Sequence, residues 1–218
     1  MKGVEQHHFK TQKTARVYHF KPTGKPKAIC FAIHGYRQLP SFFIKKFKPF
    51  VDRGVEVIAP EGLSRFYIEG YNGRVGATWM TKEDRETDIE DYLTYLNALL
   101  DQVKSDNPGI PIHLFGFSQG GATASRWFSS NDFNWASFTL YASVFPNDFD
   151  FEGQADRFKN TKFFLLFGDK DQFADEQTID TKTEWLFSKG MHPELIRFEG
   201  GHDIYENVLQ NLAIKLGW

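Results

Sequence analysis

The stretch over residues 112–122, Ile-His-Leu-Phe-Gly-Phe-Ser-Gln-Gly-Gly-Ala, constrains the fold more than any other part of the chain. Its first half is an apolar run of strand length, and its second half is rich in small residues that can begin a helix. Between them Ser118 is flanked by Gly116 and Gly120. A strand that turns this sharply into a helix forces its central residue into a strained backbone conformation and leaves no room for side chains at the two glycines. We therefore predict a strand–turn–helix unit that holds the Ser118 hydroxyl above the end of the strand.

The rest of the chain alternates between apolar runs of strand length and segments with a helical period. Further strands are predicted over 14–20, 28–33, 55–59, 136–145, 162–167 and 194–198. Helices are predicted over 42–50, from 82 to about 107, directly after Ser118, over 175–189 and over 204–216. Residues 61–80 show no clear period, and we interpret them as a long ordered loop. This pattern predicts an α/β fold, with a mostly parallel, doubly wound sheet and helices on both faces, in one domain over residues 1–218.

Composition limits the classes of partner and compartment. The 218 residues carry a formal charge of −2 at pH 7, which gives no electrostatic reason to expect a nucleic acid or an anionic membrane as partner. No stretch approaches the ~20 apolar residues of a membrane span, and no apolar signal-peptide region is visible at the start. The single cysteine, Cys30, can form no internal disulfide and lies in an apolar run, which is typical of a buried residue in a reducing compartment. We expect a cytoplasmic protein.

Carboxylate and imidazole side chains follow two later strands, at the sheet edge where Ser118 is expected. Asp169 and Asp171 follow one apolar strand, and His202 lies in a glycine turn after the last strand. A serine hydroxyl is a poor nucleophile near neutral pH, so a histidine that takes its proton and a carboxylate that orients the histidine would activate it. The order Ser, Asp, His is the one expected of an α/β-hydrolase. We predict Ser118 as nucleophile and His202 as base, with Asp169 and Asp171 both candidates for the acid and Asp203 poorly placed for it.

Several short motifs together resemble the phospholipase/carboxylesterase family of the α/β-hydrolases, which includes small bacterial carboxylesterases and acyl-protein thioesterases. They are Gly116-Phe-Ser-Gln-Gly-Gly121, His34-Gly35, Gly168-x-x-Asp171 and Gly201-His202. The resemblance extends over about residues 27–216. Its Gly-x-x-Asp pattern implies Asp171, rather than Asp169, as the acid of a Ser118–His202–Asp171 triad.

The resemblance also implies how substrate would be held. The backbone N–H groups of Tyr36 and Gln119 would form the oxyanion hole, and His34 would be structural. Tyr36 and Trp79 are the implied substrate-binding residues, although Trp79 could equally be a core residue. The family commonly continues with glycines after His-Gly, whereas this chain has Tyr36-Arg37-Gln38, so we expect a bulkier and charged pocket rim.

The function that follows is hydrolysis of short- to medium-chain carboxylic esters through an acyl-enzyme, with thioesters and lysophospholipids as further candidate substrates. No insertion before Asp171 is long enough for a large lid, which favours an open cleft. We expect no cofactor and no metal, because the chain has neither a dinucleotide fingerprint nor a cluster of metal ligands. The expected partner is a small-molecule ester, and a homodimer is left open. A serine peptidase on the same fold and a non-catalytic ligand-binding homologue are the alternatives; the complete set of triad residues argues against the second.

Overall fold

A computed structural model of the protein describes residues 3–149, 151–173 and 176–218, without the side chains of residues 152 and 155. Its strands are β1 (Val17–Phe20), β2 (Ala28–Ile33), β3 (Val55–Pro60), β4 (Ser64–Tyr67), β5 (Val75–Thr78), β6 (Ile112–Phe117), β7 (Ser137–Tyr141), β8 (Lys162–Gly168) and β9 (Glu194–Phe198). Its helices are α1 (Pro40–Phe43), a 3₁₀ turn at Ile44–Phe47, α2 (Lys48–Val51), α3 (Arg85–Asp106), α4 (Gln119–Ser129), α5 (Phe151–Lys159), α6 (Glu176–Ser188) and α7 (Glu206–Leu216).

Seven of these strands form a central sheet in the order β1-β3-β2-β6-β7-β8-β9. Strand β1 pairs antiparallel with β3, and every other neighbouring pair in this sheet is parallel. The predicted α/β class with a mostly parallel sheet is therefore confirmed. Strand β6, which leads into Ser118, lies at the centre, and the carboxyl ends of β2, β6, β7, β8 and β9 share one edge of the sheet.

Helices cover both faces of the sheet, which explains why its inner strands are continuously apolar rather than alternating. On one face the buried side chains of α3, α4 and α6 pack in one cluster with Phe31, Leu114, Phe138 and Leu165. On the other face α1, α2 and α7 pack with Ala32, Phe115 and Leu166. Among the described helices, none combines the length and the apolar character needed to cross a bilayer.

A hairpin and a helix were missed in the sequence. Residues 61–80 contain the antiparallel hairpin β4–β5, whose second strand includes Gly76. A Cβ at Gly76 would lie 2.6 Å from the carbonyl oxygen of Arg37, so this strand needs small residues and lacks an alternating pattern. Helix α5 was also missed, because it is only nine residues long and contains Gly153, a residue that disfavours helices. The predicted strand over 136–145 is shorter, since β7 ends at Tyr141.

An ion pair between a buried arginine and a partly exposed aspartate fastens the loop after β7 to helix α4. Arg126 on α4 is 8% exposed, and its guanidinium donates two hydrogen bonds to Asp148, from Nε to Oδ2 at 3.0 Å and from Nη2 to Oδ1 at 2.8 Å. Arg85 donates a further bond of 2.6 Å to Asp148. Bidentate pairs of this kind are among the stronger polar contacts in proteins. The Arg126 guanidinium holds the pKa of the Asp148 carboxyl below its ordinary value.

We expect Asp148→Asn to lower the free energy of unfolding at pH 7 by about 1–2 kcal/mol, a range that allows for the partial exposure of this carboxylate. The folded-state pKa lies below the unfolded one, so the contribution of Asp148 is complete above about pH 4 and is lost as the pH falls through the folded value. Denaturant unfolding should therefore show a constant difference between wild type and variant from pH 7 to 5 that shrinks in more acidic buffer. Asp101→Asn, at an exposed surface pair with Lys104, is the matched control and should have little effect. A difference that does not depend on pH would contradict this interpretation.

Candidate active site

Ser118 lies between β6 and α4 with a backbone conformation that non-glycine residues seldom adopt. Its φ is 53° and its ψ is −123°. Its N–H donates to Tyr141 O at 3.1 Å, and its carbonyl accepts from the Gly121 N–H at 2.8 Å. The strand–turn–helix unit predicted from the sequence is present, and the strained residue at its apex is the serine.

The glycines around Ser118 are required by close backbone contacts. A Cβ at Gly116 would lie 2.6 Å from Gly120 O, and a Cβ at Gly120 would lie 2.2 Å from Ile33 O and 2.5 Å from His34 O. The first turn of α4 thus touches the end of β2. This contact brings the turn at Ser118 beside the segment that begins with His34.

The side chains of Ser118, His202 and Asp171 form a hydrogen-bonded chain. Ser118 Oγ is 2.9 Å from His202 Nε2, and His202 Nδ1 is 2.8 Å from Asp171 Oδ2. Asp171 is 7% exposed, and its second oxygen accepts the Phe173 N–H at 2.9 Å. A carboxylate only accepts hydrogen bonds, so the proton of a neutral His202 ring lies on Nδ1 and leaves Nε2 free to accept from the serine hydroxyl.

The turn that carries His202 is held by other residues. The Gly201 N–H donates to the Tyr205 hydroxyl and the Gly200 N–H donates to Asp169 Oδ1, each at 2.9 Å. The two candidate acids of the sequence therefore occupy different places: Asp171 bonds to the imidazole, whereas Asp169 bonds to the backbone of the turn. Asp203 pairs with Lys46 at 2.8 Å.

Aromatic rings contact the imidazole. The His202 ring lies 5.1 Å from the Phe117 ring and 4.7 Å from the Phe173 ring, measured between centroids. The His202 side chain is 18% exposed. The histidine thus keeps limited access to solvent while its Nε2 faces the serine.

The segment after β2 lies directly beside the serine. A Cβ at Gly35 would lie 3.2 Å from Ser118 Cβ. The segment is held by bonds from the Gly35 N–H to Gln38 Oε1 at 2.8 Å and from the Arg37 N–H to Ala77 O at 3.0 Å. Among the described residues, the backbone N–H groups of Tyr36 and Gln119 have no hydrogen-bond acceptor. Both groups are therefore free to bind an oxygen atom of another molecule.

The Gln119 side chain has a structural role that the sequence did not reveal. Its Nε2 donates to Thr78 Oγ1 and to Met80 O, both at 3.0 Å, and its Oε1 accepts from the Trp79 N–H at 3.3 Å. These bonds tie the end of hairpin β4–β5 to the first residue of α4. No sequence signal could have identified them, because the partners are 39 to 41 residues away and two of the three partner groups belong to the backbone.

Trp79 and Tyr36, the predicted substrate-binding residues, lie in different surroundings. Trp79 is 1% exposed, and its indole N–H donates to His34 O at 2.9 Å, so the tryptophan supports the His34–Gly35 backbone from the core. Tyr36 is 50% exposed and stacks on Phe66 of the hairpin, with 5.3 Å between ring centroids. Substrate contact stays a prediction for both, and the burial of Trp79 means that it would have to move to make one.

His34 is a buried, neutral residue. Its Nε2 accepts the Gly62 N–H at 3.0 Å, so its Nδ1 carries the proton and donates to Gly35 O at 2.8 Å. Burial lowers the pKa of His34 to about 4. This histidine therefore bridges two loops, as the sequence predicted for a structural residue. Within the part of the chain that the structure describes, no three His, Cys, Asp or Glu side chains are grouped as metal ligands would be.

The glycine contacts can be tested by a pair of substitutions next to the site. Gly120→Ala should lower the free energy of unfolding by about 3 kcal/mol, because its methyl group meets two backbone carbonyls that cannot move independently. Gly201→Ala is the matched control, since the nearest atom to its Cβ is 3.5 Å away, and it should change stability by less than about 1 kcal/mol. Equal stability of the two variants in denaturant unfolding would show that the α4–β2 contact is not tight.

The comparison with solved structures concerns the fold. Esterase PE8 has a TM-score of 0.70 and 19% identity, covering 94% of this chain and 99% of its own. Acyl-protein thioesterase 2 from Zea mays has a TM-score of 0.69 and 18% identity, covering 94% of this chain and 100% of its own. At these identities the likeness shows the α/β-hydrolase fold alone.

Sequence comparison shows the family. Human monoglyceride lipase is 28% identical over 106 residues, which are 49% of this chain and only 31% of that protein. Residues 23–207 match the model of the FSH1 serine hydrolases, which is most of the chain. The hydrolase relationship predicted from the sequence is thus confirmed. The chain belongs to the FSH1 family of serine hydrolases.

Proposed function

We propose that the protein is a serine carboxylesterase that hydrolyses short- to medium-chain carboxylic esters through an acyl-enzyme on Ser118. The observation that supports this most strongly is the spacing around His202, whose two ring nitrogens lie 2.9 Å from Ser118 Oγ and 2.8 Å from Asp171 Oδ2. A serine within hydrogen-bond reach of a base, which is itself oriented by a third group, is the arrangement that activates a hydroxyl nucleophile.

In the first half of the reaction Ser118 Oγ attacks the ester carbonyl carbon as His202 Nε2 takes its proton. Asp171 stabilises the imidazolium that forms and stays ionised. The carbonyl oxygen becomes an oxyanion that accepts hydrogen bonds from the Tyr36 and Gln119 N–H groups, each of which would contribute on the order of 10²–10³ in rate. The tetrahedral intermediate then expels the alcohol, which takes the proton from His202.

In the second half a water molecule takes the place of the alcohol. His202 removes one of its protons, the resulting hydroxide attacks the acyl carbon, and the bond to Ser118 Oγ breaks as the serine recovers its proton. The acid product leaves, and the resting state returns. Apart from the ester and this water molecule, every group that acts in the two halves belongs to the chain.

Carboxylic esters are the first choice among acyl compounds, and thioesters are the second. A protein of similar fold is named an acyl-protein thioesterase, and a protein of similar sequence is named a monoglyceride lipase. The names of related proteins therefore include both thioester and oxygen-ester substrates. The proposed chemistry is the same for both, because a thiol also leaves from a tetrahedral oxyanion.

The nucleophile is tested by Ser118→Ala. We expect a fluorophosphonate probe to label Ser118 in the wild-type protein, and the variant to lose the labelling and on the order of 10⁴–10⁶ of the rate of p-nitrophenyl ester hydrolysis. Ser130→Ala, at the far end of the same helix, is the control and should keep both. Peptide mapping that finds the label on another serine, with activity retained in Ser118→Ala, would contradict the assignment.

The two candidate acids, Asp169 and Asp171, can be distinguished by substitution because their hydrogen-bond partners differ. Asp171→Asn should lower kcat by about 10⁴, because an asparagine amide that donates to Nδ1 favours the wrong histidine tautomer. Asp169→Asn should cost far less, since the asparagine oxygen can still accept from the Gly200 N–H. Steady-state kinetics of both variants decide the matter, and a larger loss for Asp169→Asn would assign the acid to the other carboxylate.

A further inference from the structure

An apolar cavity of about 330 Å³ lies between the loop after β7, the end of β8 and helix α6. Its walls are largely aliphatic and aromatic and include Val144, Phe145, Phe151, Leu165, Phe167 and Trp185. Lys182 is the one charged side chain among the described residues that line it. The hydroxyl of Thr183, which also lines it, already donates to Ile179 O at 2.8 Å. The cavity therefore offers apolar surface rather than a set of polar groups for a polar ligand.

The loop that lines the cavity is connected to the helix turn that follows Ser118. A Cβ at Gly121, in the first turn of α4, would lie 2.1 Å from Ser143 Oγ, and Val144 is the next residue in the chain. On its other side the cavity is bounded by Phe167, which precedes Gly168 and the loop to Asp171. The loop wall is fixed to α4 by the Arg126–Asp148 pair, and Phe151 packs edge-on against Trp185 with 4.3 Å between ring centroids.

The position of the cavity matches one particular part of an ester. In the sheet order the Tyr36 segment follows β2, on one side of β6, whereas the cavity lies at β7 and β8, on the other side. His202 contacts Phe117, which belongs to the core cluster on the α7 face, whereas Leu165 and Phe167 belong to the cluster on the opposite face. In the proposed reaction the Tyr36 N–H binds the oxyanion and His202 protonates the leaving group. The acyl chain is the third substituent, and the β7–β8 side with its cavity is not used by either of these groups.

We propose that this cavity is the acyl-binding pocket and that it selects linear acyl chains of about eight to twelve carbons. This inference rests on the proposed esterase function and extends the expected chain length. A dry apolar cavity of about 150 Å³ holds one benzene molecule, that is, six carbons, so a cavity of about twice that volume has room for about twelve. Each methylene that enters contributes about fourfold to binding in the transition state.

The test compares acyl chain lengths within each variant, so that general changes in activity cancel. The quantity is the ratio of kcat/KM for p-nitrophenyl decanoate to that for p-nitrophenyl acetate. We expect the wild-type series to rise by about fourfold per methylene up to roughly the decanoyl ester. Val144→Trp, which places a larger side chain in the lining, should lower the ratio at least tenfold. Trp185→Ala removes one wall of the cavity and should lower the ratio by about tenfold. Because Trp185 is 42% exposed, this variant should still fold.

Ile110→Trp is the matched control. Ile110 lines a different cavity, of about 390 Å³, beyond the other end of β6, so this variant should keep the wild-type ratio. Ratios of Val144→Trp and Trp185→Ala that equal that of Ile110→Trp would overturn the assignment of the pocket while leaving the esterase function intact.

A binding measurement keeps the two proposals distinguishable. Decanoate should bind Ser118→Ala, as followed by calorimetry, and adding Val144→Trp or Trp185→Ala should raise its Kd at least tenfold. If the wild type hydrolyses no ester but decanoate binding responds in this way, the esterase proposal fails and the pocket stands. If decanoate does not bind, or binds all variants equally, the pocket proposal fails.

Discussion

The contact between the first turn of α4 and the last residues of β2 determines the geometry of the site. Because Gly120 has no Cβ, the helix can start against the carbonyl groups of Ile33 and His34. That approach places Ser118 next to Gly35 and leaves the Gln119 N–H at the free end of the helix, where unpaired N–H groups favour negative charge. The serine proposed as nucleophile and the two groups proposed to bind the oxyanion are thus positioned by a single packing contact between two backbones.

Neutral polar groups make this contact rigid without placing a charge in it. His34 is uncharged when buried, with its pKa lowered to about 4, and it joins Gly35 to Gly62. The Gln119 amide joins the hairpin end at Thr78 and Met80 to the same helix start. A buried charge at these places would require a partner to offset the cost of its desolvation. The site is therefore held by neutral side chains whose hydrogen bonds go to neighbouring groups of the chain.

The sequence revealed the parts of the site that depend on local geometry, and it missed those that depend on remote pairing. Gly116, Gly120 and Ser118 were predictable because a sharp strand-to-helix turn imposes its own residue types. The sequence alone left Asp169 and Asp171 open, because each follows β8, and only the family pattern favoured Asp171. The hairpin lacked a clear period because β5 packs small residues against the backbone of Arg37. Helix α5 gave a weak signal because it is short and contains Gly153. The cavity could not be predicted at all, since it is formed by a loop, a strand end and a helix that meet only in the folded chain.

Strain at the site is shared among neighbouring strand ends rather than confined to the serine. Arg37, Ser118 and Ala142 have φ values of 68°, 53° and 48°, and they follow β2, β6 and β7, which are adjacent in the sheet. Each such residue costs of the order of 1–3 kcal/mol. The N–H of each nevertheless forms a hydrogen bond of 2.8 to 3.1 Å to a neighbouring strand: Arg37 to Ala77, Ser118 to Tyr141 and Ala142 to Leu166. For Ser118 and Ala142 these bonds continue the parallel ladder one residue beyond the strand. The sheet therefore opposes relaxation of the Ser118 backbone. Its φ could become negative only if the hydrogen bond to Tyr141 broke, and Tyr141 also begins the loop that leads to the cavity.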